Sequence, residues 1–454
     1  MRSRRLSPTL AGAIVGGLAA LQRILLWRLY APVSYGDTGS YFRSGEVLAR
    51  LAFDAYDGTR VPGYPAFLAL LGVDASRVYL GQLCLGWLIT MMLFVWGWQA
   101  TRRTLVAVIV AAGYTLVPGL FLFEANLLTE TLTAFLLVLG FLLLVPLERR
   151  RGAARTLSAL ALGLVAGAVG LVRILFYPMA VWLAPFVWAA GKGAWQGRMV
   201  RTALFLVTAL ALLLGWVAFI DASYGFLAPT TMGGYNLVQH AGVFFEYLPD
   251  EDAAIRDTYL KYRNARLAER GDQTNTIWEA IPELTKVSGL GFYDLSREMQ
   301  RLSLQLIREH PDLYLRNVVQ GWVGFWKAPV YWDATHAATP LAAAVLRLWG
   351  LAGRAATLAA NGLFLLLSLW VLLRFRRYRE LLADRLWLAP WGFVWFTSVA
   401  QTVMDHGDNP RFMVPLQAVV FFSVAVGLEA ILRIERRRAA SGPGPAARID
   451  SGRM

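Results

Sequence analysis

The residues of this chain best suited to chemistry are charges in places where a charge is costly. The stretch "SYGDTGSYF" begins at Ser34, directly after the first long apolar run, and sets Asp37 between the turn-forming glycines Gly36 and Gly39. Glu124 stands in "LFLFEANLLTE", and Glu130 follows it by one and a half helical turns. Arg60 and Tyr64 share the stretch "RVPGYP", and Arg173 interrupts an apolar segment. Asp405, His406, Asp408 and Arg411 crowd into "MDHGDNPRF". Ionisable groups at membrane depth default to a functional reading. Arginine's planar fork takes two phosphate oxygens and keeps its charge. A carboxylate whose proton affinity is raised by apolar walls can take the proton of a hydroxyl. Together these types suit the holding of an anion and the transfer of a proton.

The elements that must position them are membrane helices. Of 454 residues, 57% are hydrophobic and 16% charged, and mean hydropathy is +0.48, which places the chain in the membrane class. The net charge of +14 invites a nucleic-acid reading. Its distribution argues against one, because arginines cluster in short links between apolar runs: Arg2, Arg4 and Arg5; Arg102 and Arg103; Arg149 to Arg151; Arg374, Arg376 and Arg377; Arg436 to Arg438. That is the pattern of cytoplasmic loops under the positive-inside rule, with no basic face interleaved with stacking aromatics. Cys84, the single cysteine, excludes an internal disulfide. The basic N-terminus followed by an apolar run reads as a retained first helix, since no small-residue cleavage site precedes Asp37.

A crossing takes about 20 apolar residues, and ten candidates follow: 7–30, 79–100, 104–122, 128–146, 156–172, 174–190, 202–222, 355–373, 387–404 and 412–432. The arginine clusters then put both termini in the cytoplasm and two long connections, 31–78 and 223–354, outside. The first holds "GEVLARLAFDAY", an amphipathic helix through Val47, Leu48, Leu51 and Phe53 that suits the membrane interface. The second is a helical cap with a new helix starting at Pro311, and the aromatics Trp322, Phe325, Trp326, Tyr331 and Trp332 suit a headgroup belt. Asp37, Arg60, Glu124, Glu130, Arg173, His406, Asp408 and Arg411 are thus all delivered to the outer face. Each has a plainer reading: Asp37 as a helix cap, Arg173 snorkelling, Glu130 bonded within the bundle, Tyr64 packing.

An acid soon after the first helix, then "RVPGYPAFLALL", "EANLLTETL", "GLVRILFYP" and, before the last helix, "GDNPRFMVPL" resemble the GT-C glycosyltransferases. More narrowly, they are similar to the bacterial branch related to protein O-mannosyltransferases and aminoarabinose transferases. The resemblance implies an all-α integral membrane fold of about ten crossings. Residues 1–222 would form the catalytic membrane module, 223–354 the cap, 355–435 the C-terminal helices and 436–454 a disordered cytoplasmic tail. It implies a plasma-membrane enzyme that moves a sugar from a polyprenyl-phosphate donor to a lipid, glycan or protein acceptor on the periplasmic or extracellular face. Asp37 aligns with the family's catalytic acid, Glu124 with the second-loop acid, Glu130 with a glutamate that follows it, and Arg411 with the arginine before the last helix. Arg60 and Tyr64 belong to the motif lining the cavity. Asp37 is then the general base of an inverting displacement, and Glu124 orients the acceptor or shares a divalent cation with it. Family members often carry paired acids in the second loop, whereas Phe123 and Ala125 flank Glu124 here. The rival readings are a ligase or polymerase moving whole glycans from a diphosphate-linked lipid, and a secondary transporter.

Overall fold

The structure, a computed structural model, describes residues 7–190, 194–404 and 409–440. Among them the fold is all-helical, with two isolated bridges in place of strands. Seven helices among the described residues are long and apolar enough to cross a bilayer: Pro8–Leu29, Ala75–Thr101, Glu130–Arg149, Ala153–Val172, Trp195–Tyr224, Pro340–Leu373 and the stretch Pro410–Ala440. The chain is a multi-pass membrane protein.

The remaining three expected crossings take other forms. The stretch 104–122 is a helix Thr104–Thr115 followed by Pro118–Phe121 and a tight turn at Leu122–Glu124, because Pro118 has no N–H to continue the ladder. The stretch 174–190 splits into Ile174–Phe176 and Met179–Ala189 around Pro178. Arg385–Met404 has the length, 20 residues, but a less apolar sequence.

Helix limits follow local chemistry. The first helix starts where Ser7 Oγ accepts the Leu10 N–H and Pro8 fills the first position. Leu10, Ile14, Leu18, Leu21 and Leu25 form its exposed stripe, the face for lipid. The helix expected from residue 355 begins instead at Pro340, where Thr339 caps it, so 34 residues run unbroken through the expected boundary. Its outer side is apolar along most of that length, through Leu341, Val345, Leu348, Leu351, Leu366 and Leu373. Helices Ala153–Val172 and Trp195–Tyr224 close to near contact because Gly163 and Gly167 face the carbonyls of Phe205 and Ala209.

Two expectations for the loops are corrected. The first-loop helix is Thr38–Ala49, earlier than expected, so Leu51 (φ 53°) and Phe53 lie beyond its end as exposed apolar groups. The aromatics near the cap's end join cap to bundle instead of forming a belt: Phe325 and Trp326 are buried, and Trp326 lies 5.7 Å from Phe364 and 5.9 Å from Trp395. The cap has its own core, in which Leu295, Met299, Leu302 and Leu306 form one face of helix Phe292–Glu309 against Tyr235, Phe245 and Ile277.

Candidate active site

A single backbone bridge, between Val33 and Asn126, draws the first two loops together. Val33 N–H donates to the Ala125 carbonyl and Leu127 N–H to the Val33 carbonyl, each at 2.9 Å. Thr38 Oγ1 adds a bond to the Leu127 carbonyl at 3.1 Å. Asp37, just before helix Thr38–Ala49, is thereby set beside Glu130, the first residue of the next long helix.

Arg60 arrives from the same loop. Gly63 lets its turn press onto the end of helix Ala153–Val172: a Cβ there would stand 2.7 Å from the Leu171 carbonyl and the Val172 nitrogen. Arg173 is the residue that ends that helix, so this contact also fixes its distance from the first loop. The cap clasps the loop from the other side. Thr231 N–H donates to the Gly58 carbonyl at 3.1 Å, Thr230 Oγ1 to Thr59 at 3.0 Å and Tyr293 Oη to Asp57 at 3.3 Å, while Tyr224 Oη donates to the Tyr56 carbonyl.

The result is a five-residue ionic group drawn from four segments. Asp37 Oδ1 accepts Arg60 Nη2 and Oδ2 accepts Arg411 Nη2, both at 2.7 Å. Glu130 Oε1 accepts Arg173 Nη1 at 3.1 Å and has Arg411 Nε at 3.0 Å, close but out of line for a hydrogen bond. Glu130 Oε2 is buried without a partner. Arg411 therefore joins the two acids. Arg60 is braced by Ser40 Oγ at 2.9 Å and the Tyr41 ring at 4.7 Å, and Arg173 by the Phe412 ring at 4.3 Å. Asp37 keeps 28% of its side chain exposed and Arg60 21%, against 1% for Glu130, so the Asp37 end is the open one.

The charge state of Asp37 runs opposite to the expectation of a burial-raised base. Burial would push its carboxyl up, but the guanidiniums of Arg60 and Arg411 outweigh it and hold the group well below the usual carboxylate range. The plain capping role is absent too, since the Asp37 side chain caps no backbone N–H.

Glu124 and Tyr64 stand elsewhere. Glu124 is fully buried and grips Arg23 of the first helix, Nη2 to Oε1 at 2.6 Å and Nε to Oε2 at 3.0 Å, with Arg23 Nη1 on Thr115 Oγ1 at 2.8 Å. Its carboxylate fills the space left by Gly86, where a Cβ would collide with it. Tyr64 is completely buried, edge-on to Tyr41, and donates to Gln82 Oε1 at 2.9 Å. Gln82 in turn donates to the carbonyls of Glu124 and Asn126, tying the two groups through the wall of the bundle. In this arrangement Glu124 is held by Arg23, and Asp37 by Arg60 and Arg411. Among the described residues no cluster of three or more His, Cys, Asp or Glu could hold a metal ion. Asp405, His406 and Asp408 lie outside the described residues.

Sequence reasoning missed Arg23, Gln82, Ser40 and Tyr41. Arg23 carried the usual signal, a lone charge inside an apolar run; Gln82 gave a weaker version of it.

No family model matches the chain, and no curated protein matches it in sequence. In fold it is similar to the archaeal oligosaccharyltransferase AglB of Archaeoglobus fulgidus, solved with an inhibitory peptide and a dolichol-phosphate. That likeness has 14% identity, a TM-score of 0.47, 96% of this chain and 52% of the other. It is also similar to ArnT of Cupriavidus metallidurans bound to undecaprenyl phosphate, at 13% identity and TM-score 0.39, over 93% of this chain and 77% of that one. A second A. fulgidus oligosaccharyltransferase structure, with Zn and sulfate, matches at 16% identity and TM-score 0.41, over 94% of this chain and 50% of the other. The chain spans about half the length of the oligosaccharyltransferases it resembles, and all of these likenesses are distant.

Proposed function

We propose that the chain is a membrane glycosyltransferase that moves a sugar from a polyprenyl-phosphate donor to an acceptor hydroxyl, at the periplasmic or extracellular face of the plasma membrane. The observation that carries this reading is the part-exposed group of Asp37, Arg60 and Arg411 backed by the buried Glu130 and Arg173. Among the described residues, three guanidiniums stand against two carboxylates here, an excess of one positive charge that suits a phosphate monoanion. Arg411 turns one edge to the phosphate oxygens and Arg173 stands behind it, so negative charge developing on the leaving group meets fixed cations.

Asp37 is the base in this reading, and its setting dictates an order of events. A carboxylate doubly bonded to guanidiniums is a poor proton acceptor. When the donor phosphate draws Arg411 away, Asp37 loses one of its two partners and its proton affinity rises, while Arg60 stays braced by Ser40 and Tyr41. The acceptor hydroxyl then gives its proton to Asp37 as its oxygen bonds to the anomeric carbon. The carbon–oxygen bond to phosphate breaks on the opposite side, inverting the centre and releasing polyprenyl phosphate. Glu124 serves as a positioning group that locks the first helix to the turn before Glu130.

The test is Asp37→Asn, assayed in membranes for consumption of polyprenyl-phosphate sugars. Loss of turnover of at least a hundredfold is expected for a general base; full activity would remove the proposal.

A further inference from the structure

Helix Pro340–Leu373 carries two arginines, Arg347 and Arg354, on a side that is otherwise apolar and open. Its 34 residues reach about 51 Å at 1.5 Å each. Its start is tied to the end of the first helix, where Ala31 N–H donates to the His336 carbonyl and Ala338 N–H to the Leu29 carbonyl, both at 2.9 Å. The arginines therefore belong to the end of the bundle that holds the Asp37 group.

They are separated by two helical turns, about 10 Å along the axis, and so share one flank of the helix. The rotation of the helix is fixed, since Leu346 and Gly350 are buried and Trp349 Nε1 donates to the Leu116 carbonyl at 2.9 Å. Both arginines are exposed, and they are interleaved with exposed leucines, Leu351 at 64% and Leu358 at 43%. A flank of exposed leucines faces lipid, and a cation on it needs an anion within reach. The chain supplies none. No Asp or Glu occurs between Asp333 and Glu380, and among the described residues neither arginine holds a hydrogen bond, an ion pair or a ring.

Depth follows from where the charges stop. Residues 355–373 carry none, and at 1.5 Å each they reach about 28 Å. A bilayer's oily core is about 30 Å thick. Arg374, which lies over the Trp370 ring at 4.2 Å, closes the uncharged run at one end and Arg354 closes it at the other. Both then stand at headgroup level, the ordinary place for membrane arginines and tryptophans. Leu341, Val345 and Leu348 continue the exposed apolar surface past Arg354, which keeps Arg347 among headgroups and out of open water.

We propose that Arg347 and Arg354 bind the phosphate of an anionic phospholipid in the leaflet beside the Asp37 group, with its acyl chains running along Leu351 and Leu358. Two fork-shaped guanidiniums on either side of Leu351 can close on one phosphate. With no acid on this stretch of chain, the pair favours a headgroup of net negative charge over the zwitterionic choline headgroup. Selection on one flank of a single helix is by charge and not by shape, which favours a bulk phospholipid over a dedicated polyprenyl carrier.

The test takes the purified full chain in phosphatidylcholine vesicles with a trace of phosphatidylglycerol that carries a photoreactive group near its headgroup. Adducts, mapped by peptide mass spectrometry, are expected on Leu348, Leu351 or Leu358. Arg347→Gln with Arg354→Gln should lower their yield roughly 30-fold, the effect of two interfacial arginines. Unchanged thermal unfolding, and unchanged adducts on Leu18 and Leu21 of the first helix, would show that the variant folds and inserts. Equal yield from the variant or equal labelling by a photoreactive phosphatidylcholine would overturn the assignment. So would displacement by inorganic phosphate, or by polyprenyl phosphate at a lower concentration than phosphatidylglycerol needs.

Discussion

Arg411 divides itself between two acids, and that division decides what substitutions there should do. A lysine keeps the charge but has one nitrogen, not a fork, so it cannot set two separate nitrogens beside Asp37 and Glu130 as Nη2 and Nε do. Arg411→Lys is expected to lower kcat/KM for the donor about 10- to 100-fold, about 1.4–3 kcal/mol, with thermal unfolding little changed. The pH dependence follows from the same geometry. Asp37 is held ionised by its partners, so any stability it contributes is present above the ordinary carboxylate range and is lost as pH falls below it. For activity, the limb of kcat/KM reports the free enzyme and that of kcat the loaded one. If the donor takes Arg411 from Asp37, the acid limb of kcat lies at higher pH than that of kcat/KM. Coincident limbs would mean that Arg411 never lets go.

At the scale of elements, the seat of Glu124 is the sharpest case. Helix Ala75–Thr101 carries Gly86 where any side chain would strike that carboxylate. Gly86→Ala should cost about 2–4 kcal/mol, because it forces a buried ion pair apart and leaves Arg23 unpaired. In a background where Arg23 and Glu124 are both leucine, the same glycine change should cost far less, and a thermal-unfolding cycle of the variants reads that coupling. Much of this architecture was legible beforehand. Asp37, Arg60, Glu130, Arg173 and Arg411 each announce themselves as charges in apolar surroundings, and the order of their segments suggests that they meet. Where Glu124 turns was hidden, because the tight turn at Leu122–Glu124 depends on Pro118 and on a partner in a helix read as plain apolar. The burial of Tyr64 and of Trp326 was hidden for a related reason. An aromatic residue near a membrane surface suits lipid and protein equally, and only tertiary contact decides.

For the whole molecule, the cap and the membrane helices are fastened through the loop that carries Arg60. Thr230, Thr231, Tyr224 and Tyr293 all bond to backbone carbonyls between Tyr56 and Thr59. Those bonds order a segment rich in turns, so their loss should appear in function before it appears in stability. Thr230→Val combined with Tyr293→Phe is expected to raise KM for the donor several-fold while thermal unfolding moves by only a few degrees. A drop in unfolding temperature with unchanged KM would make the clasp purely architectural.

The 34-residue rod from Pro340 to Leu373 has a wider consequence. It is greasy along most of its outer side, yet a bilayer's oily interior is only about 30 Å thick. A rod of about 51 Å can keep that side out of water only by leaning, as a tent pole leans against canvas. For the proposed reaction, that lean gives an isoprenoid tail an exposed apolar flank to lie along, slanted with the rod and not upright in the membrane.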